Sequence, residues 1–566
     1  MNHGEPTVLV SHVGYNTAGA KKAVVLLRTP VDLLSATITD GASRVPLAVG
    51  QAVPVDRWSL GTFCRIDFSD VRTPGTYQVE VDTSAGVHRS EPFVIGDGRI
   101  QAATMSDGLN YFKAVRSSGE IDRKDRAAAF YGDDSGRTVD ARGGWLDASG
   151  DFSKFLSHLN YTRMMSPQQI PLCAWSFLAA RDELRASHPA LAHALGARLR
   201  DEALHGADFL VRFQSPEGYF YTAIFDALTK DLAERVINAP LQDSVRTQRW
   251  QAAYRHGGGV AIAALARAAT AEDHGDFTSA QYLAAARRGF EHLEEHNREY
   301  SYDGTESVLD DYCALLAAAE LVNATGEYRA AAERRARSLM ARYTDSGLGF
   351  GYLRGDVDGR PFFHAAEPGF PIVALLRFAQ VCADSPHSAD ARAMAVRLAR
   401  DAVWLADEVA NPFGYARQYV QPKGEQPRTS FFFPHENETG YWWQGENAGI
   451  SSQAYAALRV AALPECDEEL AARLRILADD QLQWILGLNP YDSSMMQGRG
   501  RNQAEYSQVY QNVPGGILNG ITAGVQDEHD IAFMPPDQVA AGVTWRWAEQ
   551  WIPHTAWFLL AASAAR

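Results

Sequence analysis

The feature that most constrains this chain is a change of period. Up to about residue 97, apolar residues alternate in short runs: KAVVLL at Lys22–Leu27, SATIT at Ser35–Thr39, GTFCRIDF at Gly61–Phe68, GTYQVEV at Gly75–Val81 and EPFVI at Glu91–Ile95. Turn pairs such as Asp40-Gly41 and Pro74-Gly75 separate them. That spacing is expected of half-buried strands in a β-sandwich. After Gly96-Asp97-Gly98 the period becomes helical, and Ala-rich amphipathic stretches run to the C-terminus. The chain therefore reads as multidomain, with an all-β sandwich over 1–97 and an all-α domain over 98–566.

Helices are predicted over 101–117, 168–185, 195–213, 250–270, 279–297, 309–323, 327–342, 369–383, 388–410, 448–463, 467–486 and 552–565. These twelve make six pairs, and short connections in the middle of the set suit antiparallel hairpins. No 34-residue repeat signature occurs, which favours a closed double ring over an open solenoid. Long segments at about 118–167, 214–249, 344–368, 411–447 and 487–551 interrupt the pattern. Ordered loops of that length are where function concentrates.

Composition narrows the function. Lys and Arg number 53 against 69 Asp and Glu, a formal charge of −16 with no local basic patch, so nucleic acid and anionic membrane surfaces are unsuitable partners. No stretch reaches the 18 or so apolar residues of a membrane span. Cys64, Cys173, Cys313, Cys382 and Cys466 lie far apart without a CxxC pair, which points to reduced thiols and away from a zinc site. The opening MNHGEPTVLV lacks a basic region followed by a long apolar one, so a cytoplasmic protein is expected. No HExxH, GxSxG, P-loop or EF-hand pattern appears; metal, serine-hydrolase and nucleotide chemistry are disfavoured.

Three long segments mix carboxylates with aromatic rings, a combination suited to sugars, because ring faces stack on C–H faces while carboxylates handle hydroxyls and protons. In RGGWLDASGDFSKF, Arg142–Phe155, the glycines favour a tight turn that lets Asp147 and Asp151 converge around a water as a general base. Solvated turn formers are the plainer reading. Trp145 in the same run is a candidate sugar-lining residue. The second segment, FFFPHENETGYWWQGENAG at Phe431–Gly449, places His435, Glu436, Glu438 and Glu446 among Phe433, Tyr441, Trp442 and Trp443. Its plainer reading is a buried aromatic loop, with Asn447 capping the next helix. In TWRWAEQWIPHTAWFLL, Thr544–Leu560, Pro553 fits the first turn of a terminal helix and leaves Glu549 just upstream among Trp545, Trp547 and Trp551. Indoles around a carboxyl raise its pKa, whereas a helix N-terminus lowers it. His554 reads as a polar lining or packing residue.

In this order, the segments resemble glycoside hydrolase family 9 with an N-terminal immunoglobulin-like domain, over nearly the whole chain. VLVSHVGYNTAGAKKAVVL, Val8–Leu26, looks like the opening strands of that domain. GGWLDASGD is similar to the family's Trp-x-Asp-Ala-Gly-Asp signature, and ILGLNPYDSSMMQGRG, Ile485–Gly500, to its late Leu-Gly-x-Asn-Pro segment. The resemblance implies an (α/α)6 barrel that hydrolyses β-glycosidic bonds with inversion: Asp151 as general base, Asp147 helping to hold the water, Glu549 as general acid. Inversion requires about 6.5–9.5 Å between acid and base. No cofactor is implied, and no pattern indicates a structural calcium.

The sequence departs from the family in two places. The signature has one residue more, Asp-Ala-Ser-Gly-Asp, and no His-His-Arg follows between Gly498 and Gly520. With SHLNYTRMMSPQQIPLCAW, Ser157–Trp175, the longer loop looks like the branch of exo-acting glucosaminidases and β-glucosidases on short oligosaccharides. The His435–Glu446 loop is then expected to wall the cleft into a pocket, Glu438 or Glu436 to meet a sugar ammonium or hydroxyl pair, and Tyr441, Trp442 and Trp443 to stack on sugar. Competing expectations are an endo-β-1,4-glucanase, a non-catalytic carbohydrate-binding protein and a helical polysaccharide lyase.

Overall fold

The computed structural model describes residues 4–506 and 512–566. The first three residues of the opening stretch, and part of the interval lacking His-His-Arg, lie outside the described residues.

The N-terminal strands are β1 (Thr7–Leu9), β2 (Tyr15–Asn16), β3 (Lys22–Leu27), β4 (Leu33–Thr39), β5 (Arg44–Leu47), β6 (Val53–Pro54), β7 (Thr62–Asp67), β8 (Gly75–Thr83), β9 (Gly86–Arg89) and β10 (Phe93–Gly96). One sheet has the order β1-β3-β7-β6; the other is β2-β10-β8-β4-β5, with β9 beside β8. The five predicted runs are β3, β4, β7, β8 and β10. In β8, Tyr77, Val79 and Val81 point inward between more exposed Gln78 and Glu80, the alternation of a one-sided sheet. In β3 every residue is buried because the strand has two partners. Ala23, Val25 and Leu27 face the sandwich core, while Val24 and Leu26 join the core of the helical domain. The five unpredicted strands are short, and β5 carries Pro46 on an exposed edge, where little sequence pattern is required.

The helical domain contains α1 (Arg99–Ala114), α2 (Ile170–Ser187), α3 (Pro189–Arg212), α4 (Gly258–Ala268), α5 (Ser279–Tyr300), α6 (Val308–Thr325), α7 (Arg329–Met340), α8 (Phe370–Val381), α9 (Ser388–Asp407), α10 (Asn447–Ala461), α11 (Glu468–Ile485) and α12 (Ile552–Ala564). Even-numbered helices pack in succession as an inner ring, closed where α12 meets both α10 and α2, and each odd-numbered helix backs an inner one, with α1 behind α12. This is the (α/α)6 barrel. Burial follows the ring: α6 is buried from Val308 to Val322 and α12 from Ile552 to Ser563, whereas outer α5 buries one stripe through Tyr282, Ala285, Ala286, Gly289, Phe290 and Leu293.

All twelve predicted helices are present, with three local corrections. α3 starts at Pro189, a proline at the first helical position. α4 starts at Gly258 and not at 250, because Gly257 takes a left-handed turn with φ of 97°. Asn447 does not cap α10; it is the first helical residue, and its Nδ2 donates to the Leu518 carbonyl at 2.8 Å. Gly259 lets α4 touch α6, since a Cβ there would lie 2.7 Å from Cys313 Cβ. The long segments also hold elements too short for a periodic signal: helices Gly119–Asp125, Pro536–Ala540 and Trp545–Ala548, and a sheet of β11 (Lys154–Phe155), β12 (Ala223–Phe225), β13 (Val236–Pro240) and β14 (Arg246–Thr247). Among the described residues, no helix is long and apolar enough to cross a membrane.

The sandwich docks on the barrel through aromatic rings and one buried ion pair. Trp58 lies 5.0 Å from Phe431, 6.2 Å from Phe432 and 6.2 Å from Trp484. Lys22 Nζ sits 2.8 Å from Asp480 Oδ1, both side chains almost wholly buried, and also donates to the Phe413 carbonyl. Asp479 accepts from the Ala20 amide at 2.7 Å. Replacing Lys22 with Ala leaves buried Asp480 facing only the more distant Arg65, 3.9 Å away, a loss of up to about 3–5 kcal/mol. Lys22→Ala protein is expected to unfold at markedly lower urea; a midpoint equal to that of the parent would show that the junction does not rely on the pair.

Candidate active site

The aspartate loop is closed by its own backbone. The Asp147 amide donates to the Ser153 carbonyl at 2.9 Å, the Asp151 amide to the Ala148 carbonyl at 3.1 Å, and the Ser153 amide to Asp151 Oδ1 at 2.9 Å. Gly150 supplies the left-handed residue of this turn, at φ 62°. The loop is anchored below by three buried charges. Asp125 Oδ2 is 2.6 Å from Lys154 Nζ, and Arg235 Nε is 2.7 Å from Asp125 Oδ1. Lys154 also donates to the carbonyls of Ala141 and Gly143, and Arg235 to that of Phe152. Two cations sharing one carboxylate are acceptable in the interior because their remaining N–H groups find backbone oxygens.

The segment that carries Glu549 is stitched to this loop. The Ser149 amide donates to the Gln550 carbonyl at 2.9 Å, the Gln550 amide to Ser149 Oγ at 2.8 Å, and the Ile552 amide to the Asp147 carbonyl at 3.2 Å. Ser149 Oγ donates in turn to Asn512 Oδ1 at 2.6 Å. The additional residue of Asp-Ala-Ser-Gly-Asp is thus accounted for: Ser149 joins the two halves of the site.

Glu549 is held from its other side by Asn519, whose amide donates to the Glu549 carbonyl at 2.7 Å and whose Nδ2 lies 3.5 Å from Oε2. The orientation of that side chain is set by His554, fully buried and held neutral, its pKa lowered by burial to about 3. His554 Nδ1 accepts from the Ala448 amide at 2.7 Å, which leaves Nε2–H to donate to Asn519 Oδ1 at 2.8 Å. Burial, reinforced by the charge of Asp151, pushes the Glu549 carboxyl up to about 8; Asn519 and Lys230 oppose the shift. The competition between indoles and helix N-terminus is therefore resolved in favour of desolvation.

Asp147 Oδ1 accepts from Trp551 Nε1 at 2.8 Å and from Gln169 Nε2, which also bonds His158 Nδ1 at 2.8 Å. Burial and the nearby Asp151 charge hold the Asp147 carboxyl well above the usual carboxylate range. His158 stacks on Phe155 at 4.0 Å and is held neutral by burial, at about 4.

Several expected sugar-contacting residues do other work. Trp145 is entirely buried, with Nε1 3.3 Å from Glu202 Oε2 and its ring against Gly206, where a Cβ would come within 2.6 Å. It is a core residue, packed edge-on against Phe112 and Phe177. His554 orients Asn519 and does not line a cleft. Trp443 is buried, with Nε1 donating to the Ala523 carbonyl at 2.9 Å and its ring 5.2 Å from Trp547. Glu438 is committed: its carboxylate accepts from the amides of Arg163 at 3.3 Å and Met164 at 2.5 Å, and pairs with Arg360 at 3.0 Å. Glu446 is buried, accepts from the Phe433 amide at 2.7 Å, and is pushed up by burial to about 8. Glu436 and Tyr441 remain exposed on the hairpin Glu436–Asn437/Gly440–Tyr441, with His435 and Trp442 half-buried beside them. Sequence reasoning did not single out Asn519, Gln169, His158 or Arg235. Arg235 lies in the 214–249 segment and Asn519 in the 487–551 segment that also holds Glu549, while His158 and Gln169 fall within SHLNYTRMMSPQQIPLCAW, which reads only as a stretch marking the exo-acting branch.

Residues 102–510 match the sequence model of Glycosyl hydrolase family 9, and residues 3–85 that of the Cellulase N-terminal ig-like domain. Among solved structures, a Bacteroides ovatus GH9 protein is 17% identical, with a TM-score of 0.65, covering 99% of this chain and 98% of that one. The GH family 9 endoglucanase J30 is 19% identical, with a TM-score of 0.65 and coverage of 97% and 99%. At these identities the likeness is one of fold. No curated protein sequence matches the chain.

Ser149→Ala removes the oxygen that receives the buried Gln550 amide while leaving the loop backbone intact. The expected cost is about 1–3 kcal/mol in urea unfolding, together with a fall in kcat larger than any change in KM. Unchanged kcat would separate Ser149 from the placement of Glu549.

Proposed function

The chain belongs to glycosyl hydrolase family 9 and is a glycoside hydrolase, and we propose that it cleaves β-glycosidic bonds with inversion from the non-reducing end of short β-1,4-linked gluco- or glucosamino-oligosaccharides. The observation that carries this reading is the stitch from Ser149 to Gln550 and from Asp147 to Ile552, which mounts the aspartate pair and Glu549 on one frame. Glu549, which lies beyond the residues matched to the family, is protonated at neutral pH by virtue of its raised pKa and serves as general acid to the leaving oxygen. Asp147 is the deeper of the two aspartates and favours its neutral form. Asp151, whose charge contributes to the Asp147 shift, is assigned as the base that takes a proton from water.

The exo reading is supported by the hairpin at 436–441. Its root packs on the acid-bearing turn through His435, Trp443 and Trp547. Its tip is tied to the 163–164 loop and Arg360 by Glu438, and Gly440 abuts Gln242. A wall pinned to three other segments suits a pocket better than an open groove. Glu436, exposed and without an ion-pair partner among the described residues, is the carboxylate available to a sugar ammonium or hydroxyl pair, and Tyr441 offers a stacking face.

Glu549→Gln is expected to lower kcat by about 10²–10⁴-fold, and parent kcat/KM to decline as pH rises through about 8, where Glu549 loses its proton. An unaltered rate in the variant would mean a carbohydrate-binding protein or a different acid. A time course on cello-hexaose and on the glucosamine hexamer should release monosaccharide from the first time point on one of them. Early dimers to tetramers would overturn the exo reading. Glu436→Gln should change the ratio of kcat/KM between the two sugars; an unchanged ratio removes Glu436 from specificity.

A further inference from the structure

The turn between β12 and β13 runs against ordinary backbone preference. Ala227, Leu228 and Lys230 all adopt left-handed conformations, with φ of 56°, 61° and 62°, a region that side chains other than Gly, Asn and Asp disfavour. The turn is held by Asp226, which is buried. Its carboxylate accepts from the Leu228 amide at 3.1 Å and the Lys230 amide at 2.8 Å, and its carbonyl accepts from the Thr229 hydroxyl at 2.8 Å. Strain that the surroundings enforce tends to mark a side chain whose position matters.

The side chain so placed is that of Lys230. Its Nζ lies 4.0 Å from Asp151 Oδ1, donates to the Gly150 carbonyl at 3.3 Å and sits 5.2 Å from the centre of the Phe152 ring. One ammonium therefore meets three consecutive residues of the aspartate loop from a turn 80 positions away in sequence. The charge of Asp151 acts on two carboxyls, Asp147 and Glu549. A carboxylate between two acids, required to be the ionised member, needs a cation close by.

We propose that Lys230 is a positioning residue for hydrolysis, keeping Asp151 charged and aimed at the water while its field also reaches Glu549. The proposal rests on the reading of Asp151 as the base. It assigns a task to a strained turn that the catalytic scheme otherwise leaves unused, and it predicts a signature that a merely structural lysine would lack. Removing the cation makes Asp151 harder to ionise and Glu549 harder to deprotonate, so both limbs of the pH profile move the same way.

The test is the pH dependence of kcat/KM for Lys230→Met, Lys230→Gln, Lys230→Arg and Asp151→Asn, on whichever of the cello-tetramer and the glucosamine tetramer the parent cleaves. For Met and Gln, both limbs are expected to shift upward by about half to one pH unit, while Arg returns them towards the parent position. Limbs that coincide with those of the parent in both neutral variants, at any amplitude, overturn the proposal. Asp151→Asn is expected to be inactive. If it turns over substrate at the parent rate, the assignment of Asp151 fails, and the role of Lys230 with it. An inactive Asp151→Asn beside unmoved limbs in the lysine variants overturns the lysine role alone.

Discussion

Closure of the inner helical ring is the constraint on which this site depends. The last helix, α12, fits between α2 and α10 and against α1, the first helix of the barrel. The residues immediately before α12 therefore arrive at the same place as the loop that leads towards α2. Glu549 stands three residues ahead of α12, and Asp147 and Asp151 stand in the loop between α1 and α2. Their meeting, about 400 positions apart in sequence, follows from a topology in which the two ends of the barrel form its sixth helical pair.

The carboxyl groups at this junction are placed at a cost. Glu549, Glu446 and Asp147 are all raised above their ordinary range, first by burial. A sandwich of apolar residues would fold more easily there. Around them the protein has arranged neutral donors and one lysine, and below them a triad of Asp125, Lys154 and Arg235 that fixes the loop without discharging the aspartates. Among the described residues Asp147 has no Lys or Arg ion-pair partner and accepts from two N–H donors, Trp551 and Gln169. A carboxylic acid pair with unequal surroundings is the usual means by which one fold holds an acid and a base at the same pH.

The sandwich is built into this architecture. β3 is buried on both faces because one belongs to the sandwich and the other to the barrel. Trp58 reaches Phe431 and Phe432, at the start of the segment whose far end forms the hairpin at 436–441. The docked domain thus packs on the residues that lead into this hairpin.

The sequence by itself determined what local periodicity encodes. The strands with alternating apolar residues, the twelve long helices and the switch near Gly96 were legible because one-sided and all-round burial leave patterns of period 2 and 3.6. The acid-rich, aromatic-rich segments were legible as places of chemistry because packing alone seldom tolerates such mixtures. Only the tertiary structure decided which members of those mixtures are committed to buried partners and which stay exposed. Trp145, Trp443, His554 and Glu438 look like sugar contacts when read locally, yet they are consumed by Glu202, Ala523, Asn519 and Arg360. Those partners lie far away in the chain, and no local pattern records them. The sign of the Glu549 shift was likewise a tertiary matter, since burial is set by everything packed around a carboxyl, and not by the tryptophans written beside it.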